Sequence, residues 1–179
     1  MPPIHRLDVD TYNRIVASGA LEGQRVELLD GVLVEMSPHS PAHATLIERL
    51  MNHFLATRMP LRVQLPIEVL PDSEPEPDLA LLAKEPSPTQ HPRSALLVIE
   101  VAVSSQATDR HAKGMLYARA AVPTYWLVDV PARTVEVYTE PGDNGYGHCD
   151  RIGAGAKLRC ALEGADDVDL QALFEGIEG

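Results

Sequence analysis

The chain is poor in cysteine and has no long apolar run, and each absence excludes a class of protein. Its 179 residues contain two cysteines, Cys149 and Cys160, which are too few for a disulfide framework and lack the spacing of a zinc site. A reducing cytoplasm is therefore the expected compartment. No apolar stretch approaches the roughly 18–20 residues of a transmembrane helix. Residues 1–6 lack the apolar core of a signal peptide, so we expect no membrane association.

Positive charge is also scarce. The formal net charge is −11, while 45% of the residues are hydrophobic and 23% are charged. Those two fractions are ordinary for a globular protein, and the length suits a single domain over residues 1–179 with a sizeable core. The acidic excess counts against a broad basic surface for nucleic acid, although a cleft can still be locally basic.

Turn residues and apolar periodicity predict a mixture of helices and strands. A short helix is predicted over 8–17, and Asp30-Gly31 then joins two strands as a hairpin. Ser40-Pro41 has the form of a helix start, with Ser as N-cap and Pro in the first turn. The other predictions are strands at 25–29, 32–36, 61–70, 78–83, 96–103, 125–129, 133–138 and 157–161, helices ending near 120 and 174, and a glycine-rich loop over 140–156. This order predicts an α/β or α+β domain with one mixed β-sheet flanked by helices.

One carboxylate interrupts the most apolar strand. Glu100 is the single charged residue in the run 96–103, Leu-Leu-Val-Ile-Glu-Val-Ala-Val. Both faces of this strand are otherwise apolar, which is typical of a central strand covered on both sides. A glutamate there is costly unless it is paired, protonated or bound to a cation. Glu100 is therefore either a structural residue with a buried Arg or Lys partner or part of a functional site.

A second carboxylate, Asp78, stands at the head of the apolar run 79–83. Two acids on neighbouring core strands would offer oxygen ligands to Mg²⁺ or Mn²⁺, and such an ion assists phosphodiester hydrolysis. Lys113 could stabilise the developing charge if the fold brings it close. Taken alone, Asp78 would be an ordinary strand start. Lys113 would be an exposed partner of Asp109, one helical turn away.

An ordered series of short motifs runs through most of the chain. The motifs are Val26–Gly31, Ser37-Pro38 with His43, Pro77–Ala80, Leu97–Val101, Ser104-Ser105 with Asp109, Lys113 with Tyr117–Ala120, Val122–Asp129 and Val135–Tyr138. Over about residues 7–140 this series resembles the Uma-type family of restriction-endonuclease-like proteins, a branch of the PD-(D/E)XK nuclease superfamily. The resemblance implies a restriction-endonuclease-like fold and a metal-dependent endonuclease that acts on DNA as a homodimer.

The resemblance also implies roles for particular residues. Asp78 and Glu100 would bind Mg²⁺ (or Mn²⁺), and Glu27 would be a further acid at the site. The superfamily pattern places a lysine two residues after the glutamate, but Ala102 stands there in this chain. In the resembling family the lysine lies on the following helix, which points to Lys113 as a catalytic residue.

Two other functions stay open at this stage. The missing lysine and the acidic charge favour a nuclease fold without turnover that binds nucleic acid or protein. The third interpretation is an acidic structural or dimerisation protein with no role in nucleic-acid chemistry. The module without turnover should bind its partner with no need of metal. The structural protein should keep equal or improved stability in Glu100→Gln and lose no activity.

Several residues have a plain structural interpretation beside the functional one. Glu27 could be the outward residue of a hairpin strand, where polar alternation is normal. The histidines at 39, 43 and 53 suggest metal ligands, yet packing or capping is the interpretation that we favour for His43. Ser104-Ser105 is predicted to be a strand-to-helix turn, since no partner histidine has the spacing of a catalytic triad.

Overall fold

The computed structural model describes residues 4–103 and 107–177, with the backbone alone over 107–111. The elements in chain order are α1 (Val9–Ala17), β1 (Val26–Leu29), β2 (Val32–Glu35), α2 (Pro41–Leu55), β3 (Leu61–Val63), β4 (Leu79–Leu81), β5 (Leu97–Ala102), α3 (Ala107–Arg119), β6 (Thr124–Asp129), β7 (Thr134–Gly142), β8 (Gly145–Gly153), β9 (Lys157–Leu158), β10 (Val168–Asp169) and α4 (Leu170–Leu173). None of the helices described is long and apolar enough to cross a membrane.

Six strands form one mixed sheet in the order β3-β4-β5-β6-β7-β8. The pair β5 and β6 is parallel, whereas the other neighbouring pairs of this sheet are antiparallel. A parallel pair needs a crossover connection, and α3 supplies it. Because β5 lies between β4 and β6, the prediction that the apolar run around Glu100 is a central strand is confirmed.

Helices cover both faces of this sheet. On one face α2 packs against the strands, with the ring centroids of Phe54 and Trp126 5.9 Å apart. On the other face α3 packs against them, with the rings of Tyr117 and Tyr125 5.3 Å apart. Residues two apart on a strand share a face. The even-numbered residues of β5, Glu100 among them, therefore point toward α3.

Local signals correctly located the N-terminal helix, the hairpin and the start of α2. Asp8 caps α1 by accepting a hydrogen bond from the Thr11 amide, and Ser40 caps α2 in the same way. Gly31, in the hairpin turn, has φ +74°, and a Cβ there would lie 2.5 Å from the Cβ of Arg6. Glycine is therefore required at this position on both conformational and steric grounds.

Two sequence predictions are wrong. The segment 140–156 is not a loop, because β7 continues to Gly142 and pairs with β8 in a long antiparallel hairpin. β8 lies at the edge of the sheet and most of its residues are exposed, so it lacks the apolar pattern that would reveal a strand. The predicted strand 61–70 is also too long. It ends at Val63, because Gln64 has φ +51°.

Candidate active site

Glu100 is buried in the middle of the sheet and has partners there. Its side chain is 14% exposed, and its Oε1 accepts a hydrogen bond of 2.6 Å from the Tyr117 hydroxyl. The Nζ of Lys113 lies 3.2 Å from the same oxygen. Burial raises the pKa of Glu100 to about 7, even though the Lys113 ammonium acts in the opposite direction. The structure therefore supplies the cationic partner that a buried carboxylate requires.

The cationic partner of Glu100, Lys113, lies on helix α3. Lys113 and Tyr117 are four residues apart and so share one helical face, which lies over Glu100. The Lys113 side chain is 14% exposed, and its Nζ also lies 3.0 Å from Oε2 of Glu27. Burial alone would lower the pKa of Lys113, but the two carboxylates outweigh it and raise that pKa. The interpretation of Lys113 as an exposed residue is wrong. Its expected partner, Asp109, has a side chain that lies outside the described part of the chain.

Glu27 belongs to the same cluster. It lies on β1 and is 5% exposed, so its interpretation as an outward residue of the hairpin is wrong. Its Oε2 accepts a 3.0 Å hydrogen bond from the Glu76 amide and also contacts Lys113. The hairpin and α3 are thus joined through a buried ion pair at the cavity wall.

Asp78 immediately precedes β4 and is 6% exposed. Its Oδ2 accepts a 2.8 Å hydrogen bond from the amide of Val101, the residue after Glu100. This bond fixes Asp78 beside the central strand. The Nε2 of His43 lies 3.0 Å from the same Oδ2, and the Nε2 of Gln64 lies 3.4 Å from Oδ1.

His43 was expected to serve packing or capping, and its side chain instead contacts Asp78. Only its backbone amide takes part in the cap of α2, through Ser40. His39 lies just before this cap, with its ring centroid 4.5 Å from that of His43. His53 is not part of the site, because its ring contacts the carbonyl of Asp166. The i, i+4 spacing of His39 and His43 across a predicted helix start was the signal that could have revealed this pair.

One cavity of about 200 Å³, which we call the acidic cavity, is lined by Glu27, His39, His43, Asp78, Glu100 and Lys113 among others. Five carboxylates contribute to its walls, from Glu27, Glu35, Glu76, Asp78 and Glu100. Among the described lining residues, Lys113 is the only lysine or arginine. Burial also raises the pKa of Glu76. The excess of negative charge means that a phosphate can enter the acidic cavity only together with cations.

The donor set fits the divalent ion that the sequence predicts. Glu100 uses Oε1 for both Tyr117 and Lys113, so its Oε2 has no hydrogen bond within the described residues. Asp78 likewise bonds strongly through Oδ2, and Oδ1 has only the long contact to Gln64. As far as the described residues show, each carboxylate therefore has one oxygen that a hard cation such as Mg²⁺ or Mn²⁺ could use.

Comparisons with known proteins agree with this fold. A family model described as "Uma2: Putative restriction endonuclease" matches residues 9–177, so the match extends past the predicted 7–140 into the C-terminal part. The chain is also similar to a crystal structure of a "putative nuclease belonging to DUF820" from Anabaena variabilis ATCC 29413. The TM-score is 0.69 at 15% sequence identity, with 83% of this chain and 89% of that chain covered. None of the curated proteins compared with the chain matches it. The predicted nuclease-like fold with a mixed sheet is confirmed.

Proposed function

The chain belongs to the Uma2 family of putative restriction endonucleases, and from this premise we propose that it is a metal-dependent endonuclease that hydrolyses phosphodiester bonds of DNA. The observation that supports the proposal is the convergence of Asp78, Glu100 and Lys113 in the acidic cavity. Two carboxylates with spare oxygens and one buried ammonium are the groups that phosphodiester hydrolysis needs.

Asp78 and Glu100 would hold Mg²⁺ or Mn²⁺. When bound there, a divalent cation supplies a Lewis acid that polarises the phosphate and makes a water more acidic. The protein holds both carboxylates in place beforehand. The Val101 amide fixes Asp78, while the Tyr117 hydroxyl fixes Glu100.

Lys113 would stabilise the negative charge that develops on the phosphate. Its raised pKa keeps the ammonium protonated at neutral pH, so its role is electrostatic and it does not act as a general base. Its contact with Glu100 supports the view that a lysine on α3 replaces the one missing at Ala102. Glu27 would orient Lys113 from the opposite side.

The test is cleavage of supercoiled plasmid DNA with Mg²⁺ or Mn²⁺ by the wild type and by two variants. Glu100→Gln removes a metal ligand and Lys113→Met removes the ammonium, and each should lower the rate by about 100-fold or more. Glu85→Gln and Lys84→Met change exposed residues of the same types and should cleave as the wild type does. Equal cleavage by Glu100→Gln and wild type, with both folded, would refute the assignment.

A second candidate is a nuclease fold without turnover that binds nucleic acid or protein. The observation that favours it is the double ion pair of Lys113, which leaves this ammonium already neutralised by Glu27 and Glu100. Such a module would bind DNA equally well with and without a divalent ion. An affinity that requires Mg²⁺ and is lost in Asp78→Asn would exclude it.

The homodimer implied by the family resemblance stays a prediction, which the mass of the protein in solution tests.

A further inference from the structure

We propose that His39, His43 and Asp78 form a binding site for a divalent first-row transition-metal ion, next to the carboxylate pair. The inference deepens the proposed function and rests on it through Asp78, which both sites share. It adds two imidazole ligands that neither the superfamily motif nor the predicted carboxylate pair includes. The experiment below separates the two sites by variants that touch only one of them.

The three side chains are close enough to share one ion. One ligand atom from each of them lies within 4.8 Å of the other two. Ligands at about 2.0–2.2 Å from a central ion are at most about 4.4 Å apart. The planes of the two imidazole rings are inclined by 33°. Small side-chain adjustments would therefore bring all three atoms into one coordination sphere.

The hydrogen bonding of His43 is a second, independent observation. His43 is 8% exposed, and its Nε2 is held by the Asp78 carboxylate. Its Nδ1 is buried and has no hydrogen-bond partner among the described residues. With its proton on Nδ1, the ring directs the Nε2 lone pair toward Asp78. The 3.0 Å between Nε2 and Oδ2 is the separation that two neighbouring ligands about 2.1 Å from one ion would have.

Gln64 marks the place where the free lone pairs converge. Its Nε2 lies 3.1 Å from Nε2 of His39 and 3.4 Å from Oδ1 of Asp78. A guanidinium nitrogen of Arg25 also lies 3.4 Å from Nε2 of His39. The Gln64 amide is the donor that links these acceptors from two different segments of the chain. Because a bound ion would satisfy those acceptors better than one amide does, the side chain of Gln64 would turn away or present its oxygen instead.

The ligand types select the class of metal. Mg²⁺ prefers oxygen ligands and binds imidazole poorly. Two imidazoles and one carboxylate suit the divalent ions from Mn²⁺ to Zn²⁺, with affinity rising toward the end of the series. The site should therefore bind Co²⁺ or Zn²⁺ in the presence of excess Mg²⁺.

The probe is Co²⁺ alone, titrated into protein without a polyhistidine tag and in excess Mg²⁺, with visible absorption and calorimetry as readouts. His39→Ala is the main variant, because this ring is exposed and its loss should not affect folding. His43→Ala is compared with it after circular dichroism has verified the fold. His53→Ala is the matched control for His43→Ala on helix α2, since the His53 ring lies outside the site.

The wild type should bind one Co²⁺, and His39→Ala and His43→Ala should each lose at least about tenfold in affinity. His53→Ala should keep wild-type affinity, and Glu100→Gln, which alters only the carboxylate pair, should lose less affinity than His39→Ala. The inference is overturned if the wild type binds no Co²⁺, if His39→Ala binds as the wild type does, or if Glu100→Gln loses binding as fully as His39→Ala. The proposed function fails separately, if Glu100→Gln still cleaves DNA.

Discussion

The two sides of the acidic cavity satisfy their polar groups in different ways. On the α3 side, Glu100 and Glu27 share the ammonium of Lys113, and Tyr117 completes the set. On the α2 side, His39 and Asp78 share the amide donor of Gln64, Asp78 also accepts from the Val101 amide, and Nδ1 of His43 has no partner among the described residues. The α3 side therefore contains an ammonium group of its own, that of Lys113, whereas the α2 side would be completed by the metal ion proposed above.

This difference predicts opposite responses to mutation. Removing a residue from the α3 side should cost stability as well as cleavage, because it leaves a buried charge without its partner. Removing the exposed ring of His39 from the α2 side should mainly cost metal affinity and leave stability nearly unchanged.

The largest expected effect on stability is that of Lys113→Met. Loss of one partner from a buried ion pair typically costs about 3–5 kcal/mol, and here it strands both Glu27 and Glu100. Urea unfolding measures the change, with Lys84→Met as the exposed control. The double variant Lys113→Met/Glu100→Gln should recover part of the loss. If Lys113→Met loses as little free energy of unfolding as the control does, Lys113 does not stabilise the buried carboxylates of Glu27 and Glu100.

Glu74 is a buried carboxylate outside the cavity and sharpens the contrast, because its ion-pair partner among the described residues is a histidine, His91, with Nε2 4.0 Å from Oε1. It is 3% exposed, its Oε2 accepts a hydrogen bond from Asn13, and burial raises its pKa to about 7. The folded protein therefore holds this proton more tightly than the unfolded chain does. Its contribution to stability should fall as pH rises from about 4.5 to 7.

The test is the free energy of unfolding of Glu74→Gln at pH 4.5 and pH 8. Relative to the wild type, the variant should gain roughly 2–3 kcal/mol at the higher pH. Glu163→Gln changes an exposed glutamate and should follow the wild type. A pH dependence of Glu74→Gln identical to that of the wild type would show that Glu74 titrates normally in the folded state.

Tyr117→Phe should cost about 1.5 kcal/mol, because it deletes a buried hydrogen bond to a carboxylate without changing the ring. Tyr138→Phe is the matched control, since its hydroxyl also donates to a carboxylate, Glu136. Arg151 pairs with that carboxylate as well, so the control should lose less. The free energies of unfolding of the two variants are compared. An equal loss would mean that the Tyr117 hydroxyl stabilises Glu100 no more than the Tyr138 hydroxyl stabilises Glu136.

The smallest expected effect is on the stability of His39→Ala. An exposed side chain away from the core usually changes stability by no more than about 0.5 kcal/mol. Thermal unfolding without metal should therefore give the wild-type value, while added Co²⁺ should stabilise the wild type more than the variant. A large loss of stability in the absence of metal would contradict the claim that His39 serves metal binding and not the stability of the metal-free protein.

The sequence was most informative where burial and local turns determine the structure. The apolar run around Glu100 predicted the central strand, and Ser40-Pro41 predicted the start of α2, because both signals are local. The edge strand β8 was missed, since an exposed strand with polar residues and glycines has no apolar pattern. Single-sequence patterns detect what a segment buries, and β8 buries little.

The residues of the site also divide into those that a local sequence pattern reveals and those that depend on long-range packing. Asp78 and Glu100 could be singled out as acids beside apolar runs. Lys113 was placed by family resemblance, since helical spacing cannot tell which strand a helix covers. The contact between His43 and Asp78 joins residues 35 positions apart, and no local pattern encodes it. Long-range contacts of this kind depend on how α2 packs on the sheet.

The most direct test of the proposed nuclease site is plasmid cleavage by wild type and Asp78→Asn, side by side, with Mn²⁺ and with a chelator. Asp78 is the ligand that the two proposed metal sites share, so its amide variant should lose cleavage by about 100-fold or more while remaining folded. The wild type should cleave with Mn²⁺ and stop with the chelator. Cleavage by Asp78→Asn at the wild-type rate, or by the wild type in the chelator, would contradict a metal-dependent nuclease at this cavity.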